Sequence, residues 1–484
     1  MEKLFIIEGE HWVATSIRLL AFTDSNDTLA YTKKQNLFAR KLFKKMRGDI
    51  FFLEDMQSGD AFVIISDNAD YNVATLDIAA GEVMLESDGC EISVIKCRAG
   101  ECESACRKYL ASKQGNKSLV TMSNTWGDRN GSTRVCHDFV MKEIDAAAAL
   151  GIDIVQVDDG WQMGDTAWKS ERDERGRIFV DGYWDCNLER FPEGLLPCTE
   201  YAKGKGIKLG MWFAPDSRND YAHLERDIAV LKKAYDEWGV RFFKLDMYFV
   251  TNDTEKAKMR ELLDAVYSFG NDVSVQMDIT RHSRLNYLAA KEFGTVFAEN
   301  RYTYTANSFP HRILRNLWSV GRFIPTSRFQ FEVVNPDLNA DKYEKNDPFA
   351  PSRYDMDYLF ASVMMSNPLF WMELQFLSEE RKAQLENIMS VWKDIRDELF
   401  ASDVCPIGEE PSGRSLTGFY AKGDTADYLL VFREVTDSDK ITVATDKTDF
   451  TLLATNADTD VKIADGNIAV TLSKERAYAV VRLG

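Results

Sequence analysis

The chain changes its hydrophobic rhythm twice. Residues 1 to about 115 alternate apolar and polar positions in short runs, as in "AFVIISDNADYNVATLDIAAGEVMLESDGCEISVIKC", where Asp-Asn, Ala-Gly and Asp-Gly breaks separate the segments. Period-two alternation puts one face of each strand against a core and predicts a β-sheet domain. From about residue 403 the same texture returns in "DYLLVFREV", "KITVATD", "FTLLATN" and "RAYAVVRLG", which predict a second, smaller antiparallel β-domain.

Between them, short apolar strands are separated by long helical stretches. Eight candidate strands can be marked: "SLVTMSNTW" (118–126), "IDIVQVDDGW" (152–161), "IKLGMWFAPD" (207–216), "VRFFKLDM" (240–247), "DVSVQMDIT" (272–280), "GTVFAEN" (294–300), "FIPTSRFQF" (323–331) and "NPLFWMEL" (367–374). The gaps hold stretches such as "HDFVMKEIDAAAALG" and "AHLERDIAVLKKAYDEWG", with apolar residues three and four apart and a glycine after the last turn. This is the pattern and size of a (β/α)8 TIM barrel, an α/β fold. The expected domains are 1–116 (N-terminal β-domain), 117–400 (catalytic barrel) and 401–484 (C-terminal β-sandwich).

In such barrels chemistry sits at the C-terminal strand ends. Here those ends bring Trp126 with Asp128, Asp158 and Asp159 with Trp161, Trp212 with Asp216, Lys244 with Asp246, then Asp278, Glu299, Arg328, and Trp371 with Glu373. Burying even one carboxylate is costly unless it is paired, so "VDDGW" asks for a polar partner. A ring of carboxylates, a lysine and tryptophans suits a sugar: carboxylates accept from hydroxyls, while indole faces cover C–H patches. Blander roles stand beside this one. Asp158 or Asp159 could cap the following segment, Asp246 could pair with Lys244 on the same strand face, and Glu299 could pair with Arg301. Trp184 and Trp318 read as packing residues, whereas Trp126 and Trp371 sit at strand ends.

Composition narrows the partner. With 59 basic against 77 acidic residues and a formal net charge of −18, the chain does not fit nucleic acid or an anionic membrane surface, which need clustered positive charge. No apolar run approaches the ~18 residues of a membrane span, and the N-terminus lacks a convincing secretion signal. Cys90, Cys97, Cys102 and Cys106 lack the tight C-x-x-C spacing of common zinc sites and read as reduced structural thiols. A cytoplasmic protein with a small-molecule carbohydrate partner is expected; homo-oligomerisation is left open. Neither a metal nor an organic cofactor is expected, and no phosphate-binding or dinucleotide loop is found.

The stretches "VDDGWQ", "GMWFAPD" and "FFKLDM" resemble the "DDGW", "GLWFEPE" and "KWDMN" elements of glycoside hydrolase family 36, in the α-galactosidase clan with families 27 and 31. The resemblance implies a retaining α-glycosidase using a covalent glycosyl-aspartate. Carried over, Asp246 is the nucleophile, Lys244 binds ring hydroxyls, Asp158, Asp159 and Trp161 hold the far end of the sugar, and Trp212 lines the pocket. The family's "CSGGGGRFD" loop is replaced by "MDITRHSR", so the substituent taken at C2 is open. There Arg281 or His282 could meet a polar or anionic group, or simply begin a solvated helix. The family's acid/base aspartate of "W-x-S-D-N" is matched by Glu299 in "VFAENRYT", with Asp278 the rival acid. Three functions remain in play: an α-galactosidase, a hydrolase or transglycosylase of α-N-acetylgalactosaminides or other modified α-glycosides, and a non-catalytic carbohydrate-binding barrel.

Overall fold

The computed structural model describes residues 2–484 except 10, 24–25, 38–42, 88, 116–117, 128–130, 167–168, 281–282 and 300. Eight parallel strands close a barrel: Met122–Asn124, Ile154–Val157, Lys208–Phe213, Phe242–Leu245, Ser274–Asp278, Thr295–Phe297, Phe329–Val333 and Asn367–Phe370. They are called strands one to eight below. Their two faces divide cleanly. Val155, Val157, Met211, Phe213, Phe243, Leu245, Val275 and Met277 join the core shared with the outer helices. Met122, Ile154, Phe242, Phe297 and Leu369 fill the interior. Burial on both faces explains why these strands read as continuous apolar runs.

The helices end where the sequence marks them. His137–Leu150 and Leu224–Trp238 stop at Gly151 and Gly239, with φ of 71° and 70°, a left-handed conformation that glycine adopts without a Cβ penalty. Asp253–Tyr267 begins at Asn252, whose side chain accepts from the Glu255 N–H. After strand five the helix is a single turn, Leu285–Leu288.

Strand seven starts later than its apolar pattern suggests. Pro325 is followed by a 3-10 turn, Thr326–Arg328, and the strand runs Phe329–Val333; proline cannot donate to a central ladder. Arg328 therefore lies at the N-terminal end of its strand, away from the mouth, correcting its place in the expected ring. It is fully buried and donates to the carbonyls of Asn286 and Ala290 at 2.8 and 2.7 Å, and to those of Phe293 and Gly294. Glu332, four residues on, points toward the mouth instead.

The N-terminal region is a sandwich of a four-stranded and a five-stranded antiparallel sheet. Trp12, Phe51, Leu53, Leu76, Ile78 and Leu85 fill the space between them. The other face of the five-stranded sheet, with Ile17, Leu19, Phe52 and Val63, merges with the barrel core. Asp49 pairs with Arg284 at 3.1 Å and Asp27 with Arg301 at 2.9 Å, so this sandwich braces the segments that follow strands five and six. The C-terminal region packs a five-stranded against a three-stranded sheet around Leu429, Val431, Ile468, Val470 and Val481. Among the described residues no helix is long and apolar enough to cross a membrane.

Candidate active site

Strand alternation decides which side chains reach the mouth. In strand four Phe242 faces inward, so Lys244 and Asp246, two and four residues on, face inward as well. The same parity carries Gln276 to Asp278 in strand five, Gln156 to Asp158 after strand two, and Gln330 to Glu332 in strand seven. Lys244 is buried, and its Nζ donates to Asp158 Oδ2 at 3.0 Å. Asn124 of strand one donates to the same oxygen at 2.8 Å. The ammonium also lies 5.1 Å from the Trp371 ring centroid and 5.3 Å from that of Phe297, within cation–π range. Burial works against its charge, but Asp158, Asp246 and Asp278 prevail and hold the ammonium above the usual lysine value.

Asp246 is half-buried at the end of strand four. Its Oδ2 accepts from the Trp212 indole at 3.1 Å and its Oδ1 from the Met247 N–H at 2.6 Å. Met247 has a φ of 57°, a left-handed conformation that is uncommon outside glycine and costs of order 1 kcal/mol or more. The backbone turn that aims the Asp246 carboxylate is thus held by its surroundings. Trp212 is itself fixed: the Arg177 guanidinium lies 4.8 Å from its ring centroid and Trp184 packs at 5.7 Å.

Asp278 ends strand five and is 4% exposed. Its Oδ1 accepts from the Thr280 N–H at 2.6 Å and from the Thr280 hydroxyl at 2.5 Å. Burial, and then the negative charge of Asp246, push its carboxyl up to about 7, against the pull of Lys244. A carboxyl raised in this way can carry a proton near neutral pH, which is what a general acid needs.

The adjacent carboxylates of "VDDGW" go different ways. Asp158 faces the barrel interior, whereas Asp159 turns aside and accepts from Gln162 at 2.6 Å and Arg177 at 2.8 Å. Arg177, eighteen residues further along, escaped the sequence reading. Gly160 completes the turn with a φ of 126°; a Cβ there would lie 2.8 Å from Arg190 and Ser132. Trp161 has no exposed surface: its indole donates to the Trp212 carbonyl at 2.9 Å, and its ring packs against Trp184 and Trp238. It belongs to the wall behind Trp212 and offers a sugar no face, which corrects its expected contact with substrate.

Glu299 also lands elsewhere than expected. It is completely buried; its Oε2 accepts from Arg301 at 2.8 Å and its Oε1 from Asn316. Arg301 in turn holds Asp27 of the N-terminal sandwich at 2.9 Å, and its backbone N–H donates to Glu332 at 3.1 Å. Burial raises the Glu299 carboxyl against the opposing pull of Arg301. The ion pair with Arg301, rather than a free acid at the mouth, is what the geometry gives. Asp216 is likewise an ion-pair residue, bound by Arg218 at 2.6 Å and Arg226 at 3.1 Å, and Glu373 holds Arg134 at 2.7 Å.

On the rim, the half-buried Trp126 donates from its indole to the Tyr302 hydroxyl at 3.2 Å, and the Tyr302 ring lies 6.1 Å from that of Trp371. Tyr302, in the segment after strand six, joins the expected tryptophans. Asp128, Arg281 and His282 lie outside the described residues. The mouth thus assembles Asp158, Lys244, Asp246 and Asp278 as one charged cluster, floored by Trp212 and flanked by Trp126, Tyr302 and Trp371.

Comparison with known proteins bears on this cluster. The Melibiase family profile matches residues 108–238, which carry strands one to three and stop short of Lys244. An α-galactosidase of Escherichia coli is 32% identical over 89 residues, 18% of this chain and 11% of that protein. An α-galactosidase of Oryza sativa subsp. japonica is 27% identical over 136 residues, 26% and 28% of the two chains. The matched stretches are therefore a minor part of these relatives' length. Among solved structures, the family 36 α-galactosidase AgaA of Geobacillus stearothermophilus superposes with a TM-score of 0.68 at 11% identity, covering 98% of this chain and 75% of that one. A doubly substituted variant of the same enzyme, solved in complex with raffinose, gives 0.67 at 12% identity, covering 98% and 74%. The fold is that of the family 36 α-galactosidases. The likeness takes in nearly the whole chain, flanking β-domains included, whereas the family profile matches only residues 108–238.

Proposed function

We propose that this protein is a retaining α-glycosidase acting on terminal α-galactosides, with Asp246 as nucleophile and Asp278 as acid/base. The observation that carries the reading is the charged cluster at the mouth, in which Lys244 and Asp158 are paired and burial, with the charge of Asp246, pushes the Asp278 carboxyl up to about 7. In the first step an Asp246 oxygen bonds to the anomeric carbon as the bond to the aglycone oxygen breaks, and Asp278 passes its proton to that oxygen. Esterification removes the negative charge of Asp246, one of the causes that keep Asp278 protonated. Its acidity then rises, and the carboxylate takes a proton from the water that attacks the anomeric carbon and releases Asp246. Lys244, fixed by Asp158, donates to sugar hydroxyls from below. The chemistry asks for no metal or organic cofactor.

The strand-five sequence favours a second reading of the substrate. Asp278 and Thr280 stand where the resemblance leads one to expect small residues around C2, so a C2-modified α-glycoside such as an α-N-acetylgalactosaminide belongs in any substrate panel. The test is a set of aryl α-glycosides varied at C2 and C4, with mass spectrometry of trapped glycosyl-enzyme. Turnover of the α-galactoside with a label on Asp246 supports the proposal. Galactose binding without turnover of any member would replace it with a carbohydrate-binding barrel.

A further inference from the structure

Residues 28–48 contain seven Lys or Arg and no Asp or Glu, in a chain of net charge −18. This segment supplies two edge strands: Ala30–Asn36 at the border of the five-stranded N-terminal sheet and Phe43–Gly48 at the border of the four-stranded one. Ala30–Asn36 pairs with Trp12–Leu19 so that Ser16 lies opposite Lys33 and Arg18 opposite Tyr31. Along Trp12–Leu19, alternation puts Trp12, Ala14, Ser16 and Arg18 on the face toward the other sheet. Trp12 and Ala14 lie in the sandwich core, whereas Arg18 is exposed. The inner face turns from apolar to cationic along this strand, beside the edge strand Phe43–Gly48 of the four-stranded sheet.

A cavity of about 360 Å³ opens at that point, with Arg18, Tyr31, Lys33, Gln35, Lys45 and Arg47 in its lining; small-molecule sites typically occupy about 300–1,000 Å³. Lys45 pairs with Asp77 at 3.0 Å, but among the described residues Arg18, Lys33 and Arg47 have no ion-pair partner. Cations gathered around one cavity repel one another and attract an anion. Two neutral features narrow its kind. Gln35 Oε1 is buried without a hydrogen-bond partner among the described residues, and a buried acceptor is costly until a donor reaches it. Tyr31, 58% exposed, offers an open ring, the surface on which a pyranose C–H face packs.

We propose that this cleft is a second binding site, separate from the barrel mouth, for an anionic oligosaccharide carrying carboxylate or sulfate groups. The acidic substituents meet Arg18, Lys33 and Arg47, a hydroxyl donates to Gln35, and one ring covers Tyr31. A short charged sugar engages the cleft alone, whereas an extended nucleic acid would also have to run along a body of net charge −18.

The test is calorimetric titration of the full chain with β-linked tetramannuronate and with neutral β-linked mannotetraose, at low and at moderate salt. Binding of the acidic tetramer alone is expected, weakening with salt and unaffected by saturating galactose. In the double variant Arg18→Glu, Lys33→Glu, affinity should fall at least tenfold with melting temperature and aryl α-galactoside turnover retained; Lys33→Glu alone serves if the double variant misfolds. Tyr31→Ala should weaken binding several-fold. Equal affinity for mannotetraose, or affinity untouched by charge reversal, overturns the site. So does equal binding of poly-glutamate or single-stranded DNA together with no effect of Tyr31→Ala, which would mark a general polyanion surface.

Discussion

The Lys244 ammonium lies 3.0 Å from Asp158 Oδ2, joining strand four to strand two across the inside of the barrel. Both side chains are about 4% exposed, so neither charge is stable there without the other. Lys244→Met should therefore destabilise the protein by about 3–5 kcal/mol, the usual cost of stranding one partner of a buried pair. Thermal unfolding measures this. A melting temperature equal to that of wild type would mean that Asp158 finds another cation.

The two aspartates of "VDDGW" should separate in kinetics. Asp158→Asn weakens the hold on Lys244 inside the cluster, and kcat/KM should fall about 10 to 100-fold, the size of a lost charge-assisted hydrogen bond of about 1.5–3 kcal/mol. Asp159→Asn acts on Arg177 and only through it on Trp212, so its main effect should be a lower melting temperature. Equal kinetic losses in the two variants would place Asp159 in contact with substrate.

Asp246→Ala should abolish turnover while leaving the fold intact, because its carboxylate stands half-buried at a strand end, where Trp212 and Met247 donate to it. If it is the nucleophile, azide should restore partial activity and yield the β-glycosyl azide. Mass spectrometry and NMR of the product decide this. An α-configured azide, or wild-type rates in the variant, would remove Asp246 from the covalent step.

Much of this arrangement could be read along the chain because alternation is local. Once Phe242 is buried, Lys244 and Asp246 must share its face, and the barrel then brings them to one end. What escaped the reading depends on contacts between distant segments or on where a strand begins. Arg177 meets Asp159 only after a long loop folds back. Pro325 delays strand seven and exchanges Arg328 for Glu332. Trp161 of "DDGW" was expected, with its two aspartates, at the far end of the sugar, but the burial that removes its face comes from Trp184 and Trp238, which nothing in that motif specifies. Glu299 was ambiguous from the start, because Arg301 two residues on shares its side of the chain.

Asp278 ties both activity and stability to the same proton. Its carboxyl rises from about 3.9 in an unfolded chain to about 7 in the fold. The native state then binds the extra proton between those values, so its contribution to stability is complete below about pH 4 and is lost as pH rises through 7. Asp278→Asn keeps an acceptor for Thr280 and removes the titration. The variant should be more stable than wild type at pH 8, with the difference shrinking toward pH 4, while its turnover should be impaired. Melting temperatures across this range test the sign. A variant destabilised at pH 8 would mean that the ionised carboxylate is the form the fold favours.

The assignment of the acid can be separated from that of the ion pair by leaving-group dependence. An acid matters in proportion to how poor the departing group is. Asp278→Asn should be severely slowed on natural oligosaccharides and much less so in glycosylation by an activated aryl galactoside. With that substrate the slow step becomes release from Asp246, since the same residue must then act as base, and a burst of phenol should precede a slow steady state. The alkaline limb of kcat/KM, near pH 7 in wild type, should flatten in the variant. Glu299→Gln should behave differently. It leaves the Arg301 guanidinium with Asp27 as its remaining carboxylate partner, so stability should drop while all substrates are affected alike and the alkaline limb persists. If Glu299→Gln instead shows the leaving-group dependence and the flattened limb, the acid resides on strand six. Arg301 would then have to swing toward Asp27 when substrate binds, releasing Glu299 to the mouth.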